Sequence, residues 1–322
     1  MYAELITTKP TSLEQVEIAE FLSRRDIRYR PDADYMVRCY DGERLTGCGA
    51  LAGCVLKYIA VDERLAGEGI CASIVSELIA HAMRCGLTHL FLYTKPENAR
   101  IFVSLGFYEI CATDNMLMME NKRNGIDSFI ASLPKAHGNV GAVVLNANPF
   151  TNGHLSLVTQ AAARCDALYV FVVSEDRSDF SCGVRLKLVR DGVAHIKNAI
   201  VCKSCEYLVS YATFPDYFIK DIQRVDDIRA DMDIALFAKR IAKPLGITTR
   251  FVGSEPFSPL TAAYNHRMAE LLPQEGIELV EFTRTDGISA SKVRALMADG
   301  ELEKLRTMVP ETTFEYIRDH IG

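Results

Sequence analysis

The sequence predicts an α/β protein of two domains, an N-terminal α+β domain followed by a doubly wound parallel sheet. Three observations predict this class. The chain has 322 residues, which is long for one hydrophobic core. Its first part places several strands in succession, whereas its second part alternates strands with helices. A polar stretch rich in turn residues separates the two patterns.

The N-terminal part contains one strongly periodic helix. Ile70, Ile74, Leu78 and Ile79 recur at helical spacing, which predicts a helix over Glu68–Arg84. The remaining predictions for this part are helices at Leu13–Ser23 and near Asn98–Ser104, and strands at Tyr35–Tyr40, Arg44–Leu51, Val55–Val61, Leu90–Tyr93 and from Phe107 onward.

The domain boundary is predicted in the polar segment that contains Asn124-Gly125, Pro134 and Gly138. We expect an N-terminal domain over residues 1–127, a linker over 128–138 and a C-terminal domain over 139–322. The strands predicted for the C-terminal domain are Val140–Leu145, Leu168–Val173, Thr248–Val252 and Glu278–Phe282, with helices from Gly153, over Cys182–His195 and from Ser289.

Composition excludes several classes of function. The formal charge of −6 argues against a general nucleic-acid or membrane-surface binder, because phosphate surfaces require a basic excess. No apolar run reaches the ~18 residues of a membrane span, and the first residues do not resemble a secretory signal, so we expect a cytoplasmic protein. Of ten cysteines, only Cys202 and Cys205 form a C-x-x-C, which favours reduced thiols over a zinc site and predicts no metal site.

The segment from Val143 to His154 carries the most chemical information. An apolar strand leads into an irregular loop, and a helix begins near Gly153. Ligands of open α/β sheets bind beyond the carboxyl ends of strands, where a helix N-terminus offers free N–H groups to phosphate. In the first helical turn, His154 can donate a hydrogen bond to charge developing on a phosphoryl group. The alternative is a turn-rich loop whose histidine only caps or packs.

A second predicted helix N-terminus follows the strand Glu278–Phe282. Ser289 suits the N-cap, and Ser291, Lys292 and Arg294 fall in the first turns. Two hydroxyls and two cations at a helix N-terminus suit a polyphosphate. The alternative is an ordinary capped helix with solvated basic residues.

Taken together, Thr151–His154 and Gly287–Arg294 resemble two signatures of the nucleotidylyltransferase superfamily, Thr-x-Gly-His and Ile-Ser-Ser-(Thr/Ser)-x-x-Arg. The resemblance implies a Rossmann-like adenylylating domain that binds ATP, normally with Mg²⁺, for which we assign no protein ligand. One departure is Glu255, an acid where adenylyltransferases usually carry a base, and it predicts a different second substrate. The implied catalytic residues are His154, Arg177 and Arg294, and the implied nucleotide-binding residues are Asn146, Asn148, Phe150, Thr151, Gly153, Gly253, Ser289, Ser291 and Lys292.

In the N-terminal domain, Arg64-x-x-Gly67-x-Gly69 resembles the pyrophosphate-binding loop of the GCN5-related N-acetyltransferase (GNAT) family. The resemblance implies that Arg64, Gly67 and Gly69 hold the pyrophosphate of a CoA-like arm. A dinucleotide-binding fingerprint is the competing interpretation, but it needs an acidic residue at the end of the next strand, which ends Leu92-Tyr93-Thr94.

The same domain also departs from the GNAT family. The tyrosine that usually protonates a departing thiolate corresponds to Phe102, whose phenyl ring cannot donate a proton. We therefore expect this domain to bind a CoA-like arm without performing ordinary amine acetylation.

The fusion of these two domains resembles the citrate lyase ligase family over nearly the whole chain. Two further segments agree with that family, Tyr211–Phe218 and Phe251–Phe257 followed by Tyr264-Asn265. The resemblance implies a ligase that forms a carbon–sulfur bond. It would convert ATP and acetate to acetyl-AMP, and transfer the acetyl group to the thiol of a dephospho-CoA-derived prosthetic group on the citrate lyase carrier subunit.

Three alternatives stay open. The first is an adenylyltransferase that makes a nucleotide cofactor and is fused to an acetyltransferase domain. The second is an N-acetyltransferase with a regulatory C-terminal half, and the third is a non-catalytic scaffold for the lyase.

Overall fold

A computed structural model describes residues 4–65, 67–174, 179–208, 214–254, 258–283 and 288–320. The chain forms two compact units. The N-terminal unit comprises Met1–Gly125 and Pro215–Ile228, and the C-terminal unit comprises Ile126–Phe214 and Arg229–Gly322. The predicted α+β domain followed by a parallel-sheet domain is confirmed.

The N-terminal unit is built on a seven-stranded mixed sheet with strand order β1-β2-β3-β4-β5-β7-β6. The longest helix packs its Ile74, Val75 and Leu78 into the core of this sheet. The elements are β1 (Glu4–Ile6), α1 (Ser12–Ser23), β2 (Tyr35–Asp41), β3 (Arg44–Ala52), β4 (Val55–Val61), α2 (Ile70–Arg84), β5 (Phe91–Thr94), α3 (Ala99–Ser104), β6 (Tyr108–Ala112) and β7 (Leu117–Glu120).

The end of the N-terminal sheet differs from the prediction. A single strand was expected from Phe107 onward, but the structure has two antiparallel strands, β6 and β7. The chain reverses between Thr113 and Met116, where the Thr113 N–H donates to the Met116 carbonyl at 2.8 Å. Asp114 and Asn115 lie in that reversal, and both residue types favour turns.

The C-terminal unit is a five-stranded parallel sheet with helices on both faces. Its strand order is β10-β9-β8-β11-β12, so the order reverses between β8 and β11, and this is the switch point at which such sheets bind ligands. The elements are α4 (Gly125–Ser132), β8 (Val140–Leu145), α5 (Asn152–Ala162), β9 (Ala167–Val172), α6 (Cys182–Gly192), β10 (Ala199–Lys203), α7 (Val225–Leu236), α8 (Lys243–Leu245), β11 (Ile247–Gly253), α9 (Pro259–Leu271), β12 (Glu278–Phe282), α10 (Ala290–Ala298), α11 (Leu302–Leu305) and α12 (Glu311–His320).

Two apolar clusters hold this sheet between its helices. One face packs against α5, α6, α10 and α12 through residues such as Val158, Leu188 and Val293. The opposite face packs against α7, a following π-helical segment and α9 through Ala230, Phe237 and Met268. Successive strand residues point to opposite faces, and both faces are covered, which explains the continuous burial of β9.

The segment predicted as a linker, residues 128–138, is not an extended connection. The helix α4 covers its first part, and Ile130, Leu133 and Ala136 pack against the C-terminal core. Turn residues suggested a boundary, but the apolar spacing of Ile126, Phe129 and Ile130 supports a short amphipathic helix. The limits 1–127 and 139–322 stay a prediction, and the assignment of residues 215–228 to the N-terminal unit was not expected.

The two glycines of α6 provide a matched test of core packing. A Cβ on Gly192 would lie 2.5 Å from the buried Phe150 ring, whereas a Cβ on Gly183 would meet nothing within 4 Å. We expect Gly192→Ala to destabilise the protein by about 1–3 kcal/mol, because the ring must move. Gly183→Ala should be neutral or stabilising by up to ~1 kcal/mol. Urea unfolding measures both, and equal stability of the two variants would contradict this packing.

Candidate active site

The loop after β8 presents a capped helix N-terminus at the switch point. Thr151 is the N-cap of α5, and its side chain accepts a hydrogen bond from the His154 backbone N–H at 3.4 Å. In return, the Thr151 backbone N–H donates to Nδ1 of His154 at 3.1 Å. This reciprocal pair fixes both the entry of the chain into the helix and the orientation of the imidazole ring.

The same pair assigns the tautomer of His154. A backbone N–H can only donate, so Nδ1 must be the acceptor and the proton of the neutral ring resides on Nε2. The imidazole is half-buried, and its ring stacks on Phe150 at a centroid distance of 5.9 Å. His154 is therefore held as an Nε2–H donor, the form that suits a developing negative charge.

The loop itself is tightly constrained. Phe150 is completely buried, and Asn148 and Thr151 are also buried. Ala147 has a φ of +50°, a left-handed conformation that costs free energy for a residue with a Cβ. Asn146, by contrast, is exposed at the carboxyl end of β8.

The second predicted helix N-terminus lies beside this loop. Arg294 in α10 donates from Nη1 to the Asn148 carbonyl at 2.6 Å. A Cβ on Gly153 would lie 3.8 Å from the Ile288 backbone oxygen, so the starts of α5 and α10 are neighbours. Ser289 caps α10 by accepting from the Lys292 N–H at 3.1 Å. The structure thus places the start of α5, which carries His154, beside the start of α10, which carries Arg294.

Asp179 was not predicted as part of this site. Its Oδ2 lies 3.0 Å from Nε of Arg294 and accepts from Nδ2 of Asn148 at 3.3 Å. Nη2 of the same guanidinium donates to Ser291 Oγ at 3.4 Å. Asp179, Asn148 and Ser291 thereby fix the plane of Arg294. No periodicity or motif of the sequence marks Asp179.

Arg185 in α6 hydrogen-bonds to the backbone of the connections around the candidate site. Its guanidinium is fully buried and donates to the carbonyls of Phe180 at 3.1 Å, Asn146 at 2.8 Å and Val173 at 2.6 Å. Asn146 lies in the connection after β8, whereas Val173 and Phe180 both lie in the connection between β9 and α6. An arginine on the apolar face of Leu188 and Val189 was the sequence signal that could have identified it.

The other predicted residues of the C-terminal site are placed as follows. Gly253 ends β11, the strand beside β8, and its carbonyl accepts from Asn265 Nδ2 at 3.1 Å. Ser291 and Lys292 are exposed at the start of α10. Arg177 and Glu255 lie outside the described residues.

In the N-terminal unit, both predicted loop glycines have a left-handed backbone. Gly67 and Gly69 have φ values of +90° and +80°, which residues with a Cβ rarely adopt. Gly69 is the N-cap of α2 and supplies no side-chain cap, so the first N–H groups of the helix face outward. Arg64 is exposed, and its backbone N–H donates to Asp62 at 3.1 Å, which with the Arg64 and Arg44 guanidinium groups lowers the pKa of Asp62.

Comparison with known proteins agrees with both units. Residues 140–317 match the family model of the citrate lyase ligase C-terminal domain, and residues 2–111 match that of the acetyltransferase (GNAT) family. A [citrate [pro-3S]-lyase] ligase of Klebsiella pneumoniae is 40% identical over 98% of this chain and 94% of its own length. The chain belongs to the citrate lyase ligase family. It is thus a ligase.

Two further relatives are similar to this member of the citrate lyase ligase family. The Escherichia coli K12 [citrate [pro-3S]-lyase] ligase is 39% identical over 95% of this chain and 91% of its own length. A phosphopantetheine adenylyltransferase of Shouchella clausii is 27% identical over 39% of this chain and 86% of its own length. Across the described ranges, no helix is long and apolar enough to span a membrane.

The buried Arg185 provides a test of the loop network. Arg185→Lys keeps the charge but replaces a planar fork by one ammonium that cannot reach three carbonyls. We expect a loss of at least about 2 kcal/mol in the free energy of unfolding, because hydrogen bonds to a charged donor are lost. Arg190→Lys is the control, since Arg190 is exposed on the same helix. Equal urea midpoints for the two variants would show that the network does not hold the loops.

Proposed function

We propose that this ligase acetylates the thiol prosthetic group of the citrate lyase carrier subunit, using ATP and acetate through acetyl-AMP. A carboxylate oxygen of acetate attacks the α-phosphorus of ATP, and the bond to pyrophosphate breaks. The thiol sulfur then attacks the acetyl carbonyl, a thioester forms, AMP leaves and the thiol proton is released. Membership of the citrate lyase ligase family supports the acceptor.

The observation that carries this proposal is the meeting of two helix N-termini at the switch point. Arg294 at the start of α10 bonds the loop that leads into α5. Helix N-termini attract anions through free N–H groups and the helix dipole. A triphosphate placed there meets the imidazole of His154 and the guanidinium of Arg294, which are held in fixed orientations.

In this mechanism, the residues of the chain act mainly by positioning and charge stabilisation. His154 donates from Nε2 to an α-phosphate oxygen as charge increases in the transition state. Arg294 neutralises the phosphates, assisted by Arg177, while Ser289, Ser291 and Lys292 bind them at the start of α10. Asn146, Asn148, Phe150, Thr151, Gly153 and Gly253 shape the nucleotide-binding surface.

Magnesium is expected to accompany the ATP. The metal would neutralise the leaving pyrophosphate, which is its usual role in phosphoryl-group chemistry. Asp179 is the carboxylate beside Arg294, but its Oδ2 already contacts Arg294 and Asn148. We therefore assign the metal to phosphate and water oxygens, as is common for Mg²⁺.

The N-terminal unit is proposed to bind the arm that carries the thiol. The left-handed glycines of the Arg64–Gly69 loop and the open N-terminus of α2 suit its pyrophosphate. Phe102 is buried in the core of this unit and offers no proton to a thiolate. This unit therefore serves as the arm-binding unit.

The proposal is tested by His154→Ala in an assay that contains ATP, acetate, Mg²⁺ and the thiol-bearing carrier subunit. We expect the rate of thioester formation to fall ~10²–10³-fold, the usual effect of removing one transition-state donor. ATP–pyrophosphate exchange with acetate should fall in parallel. His195→Ala, an exposed histidine in the same unit, is the control and should retain full activity.

Two outcomes would contradict the proposed function. Unchanged acetylation by His154→Ala would exclude its catalytic role. Pyrophosphate release that requires a nucleotide-like acceptor and ignores acetate would instead indicate an adenylyltransferase that makes a cofactor.

A further inference from the structure

Two neighbouring strands of the N-terminal sheet separate soon after they meet. The parallel strands β4 and β5 pair only at Val55 with Phe91 and at Leu56 with Leu92. Beyond these pairs, Tyr58 has a φ of +55°, and the register between β3 and β4 shifts opposite it. This is the geometry of a β-bulge, which turns a strand away from its neighbour. Beyond Leu56 and Leu92, a gap therefore separates β4 from β5.

The gap is bridged by a tyrosine from a distant part of the chain. The Tyr217 hydroxyl donates to the carbonyl of Tyr93 on β5 at 3.2 Å. Burial raises the pKa of Tyr217, as expected for a phenol removed from water. The Tyr217 side chain contacts both diverging strands, β5 through its hydroxyl and β4 through its ring.

The segment that carries this tyrosine is firmly anchored within the N-terminal unit. We call residues 215–228 the strap. The Asp216 carboxylate lies 3.1 Å from Arg30 and 3.4 Å from Arg28, and the Arg28 backbone N–H donates to the Tyr217 carbonyl at 2.7 Å. The Tyr217 ring packs 4.8 Å from the ring of Tyr58. The strap therefore occupies the gap in a defined conformation.

A small cavity remains beside the strap. Its volume is about 150 Å³. Apolar walls are provided by Leu56, Ile59, Leu92 and Phe102, and Tyr217 also lines the cavity. A ligand that enters the gap beside this cavity displaces the Tyr217 hydroxyl and must supply another donor to the Tyr93 carbonyl, because buried backbone groups require partners. An amide N–H in a slender apolar chain is such a donor.

We propose that the strap and an amide-bearing thiol arm compete for the gap between β4 and β5. This inference rests on the proposed arm-binding role of the N-terminal unit. The strap fills the gap while no arm is present, and the entering arm displaces Tyr217. The strap thereby lowers the affinity of the unit for free CoA-like molecules.

The test measures binding of dephospho-CoA to the full-length protein by calorimetry, without ATP. Tyr217→Phe removes the hydroxyl that donates to Tyr93 and should tighten binding about threefold to tenfold, which corresponds to the net loss of one hydrogen bond from the closed state. Tyr35→Phe is the matched control. It removes a hydroxyl that donates to Glu77 at 2.9 Å in the same unit, and it should bind as the wild type does.

A second variant and a second measurement keep the proposal testable even if Tyr217→Phe does not fold. Asp216→Asn weakens the anchor of the strap and should also tighten binding. In the wild type, dephospho-CoA should increase amide hydrogen exchange in the strap. Unchanged or weaker binding by both variants, protection of the strap by the ligand, or no binding by any variant would overturn the proposal. The proposed ligase reaction is assayed separately with the carrier subunit, so its failure is distinguishable.

Discussion

The hydrogen bond between Arg294 and the carbonyl of Asn148 is the contact on which the candidate active site depends. It joins two chain segments 146 residues apart and holds two helix N-termini side by side. Asp179 and Ser291 fix the plane of the same guanidinium. Phosphoryl-group chemistry relies on positioning more than on covalent catalysis, so in the proposed reaction this orientation would be a large part of what the protein contributes.

Packing of Phe150 holds the loop between β8 and α5, which leads to His154. Phe150 is completely buried against α6 at Gly192 and stacks on His154 on its other side. The buried guanidinium of Arg185 binds three backbone carbonyls in the two connections that follow β8 and β9. Loops that would otherwise move independently are thus joined to the core, which keeps the N–H groups of α5 directed at one point.

In the N-terminal unit, the main structural feature is an opening between two strands of the sheet. Its sheet opens where β4 bends away from β5, and a segment from much later in the chain enters the opening. The Tyr217 hydroxyl satisfies the Tyr93 carbonyl at this opening, where we propose that a ligand binds. If an arm displaces the strap there, the free energy of binding is the difference between the hydrogen bonds of the arm and those of the strap. The affinity for the arm then depends on the strap as well as on the pocket walls.

The sequence by itself predicted the fold class and both helix N-termini, because strand periodicity, caps and short motifs are local signals, and the same motifs made His154, Ser289 and Arg294 candidate site residues. It did not reveal Asp179, the network of Arg185 or the place of Tyr217. Their partners are 31, 39 and 124 residues away in the chain. Only tertiary structure decided these contacts, since a hydrogen bond between distant segments leaves no spacing pattern in either segment.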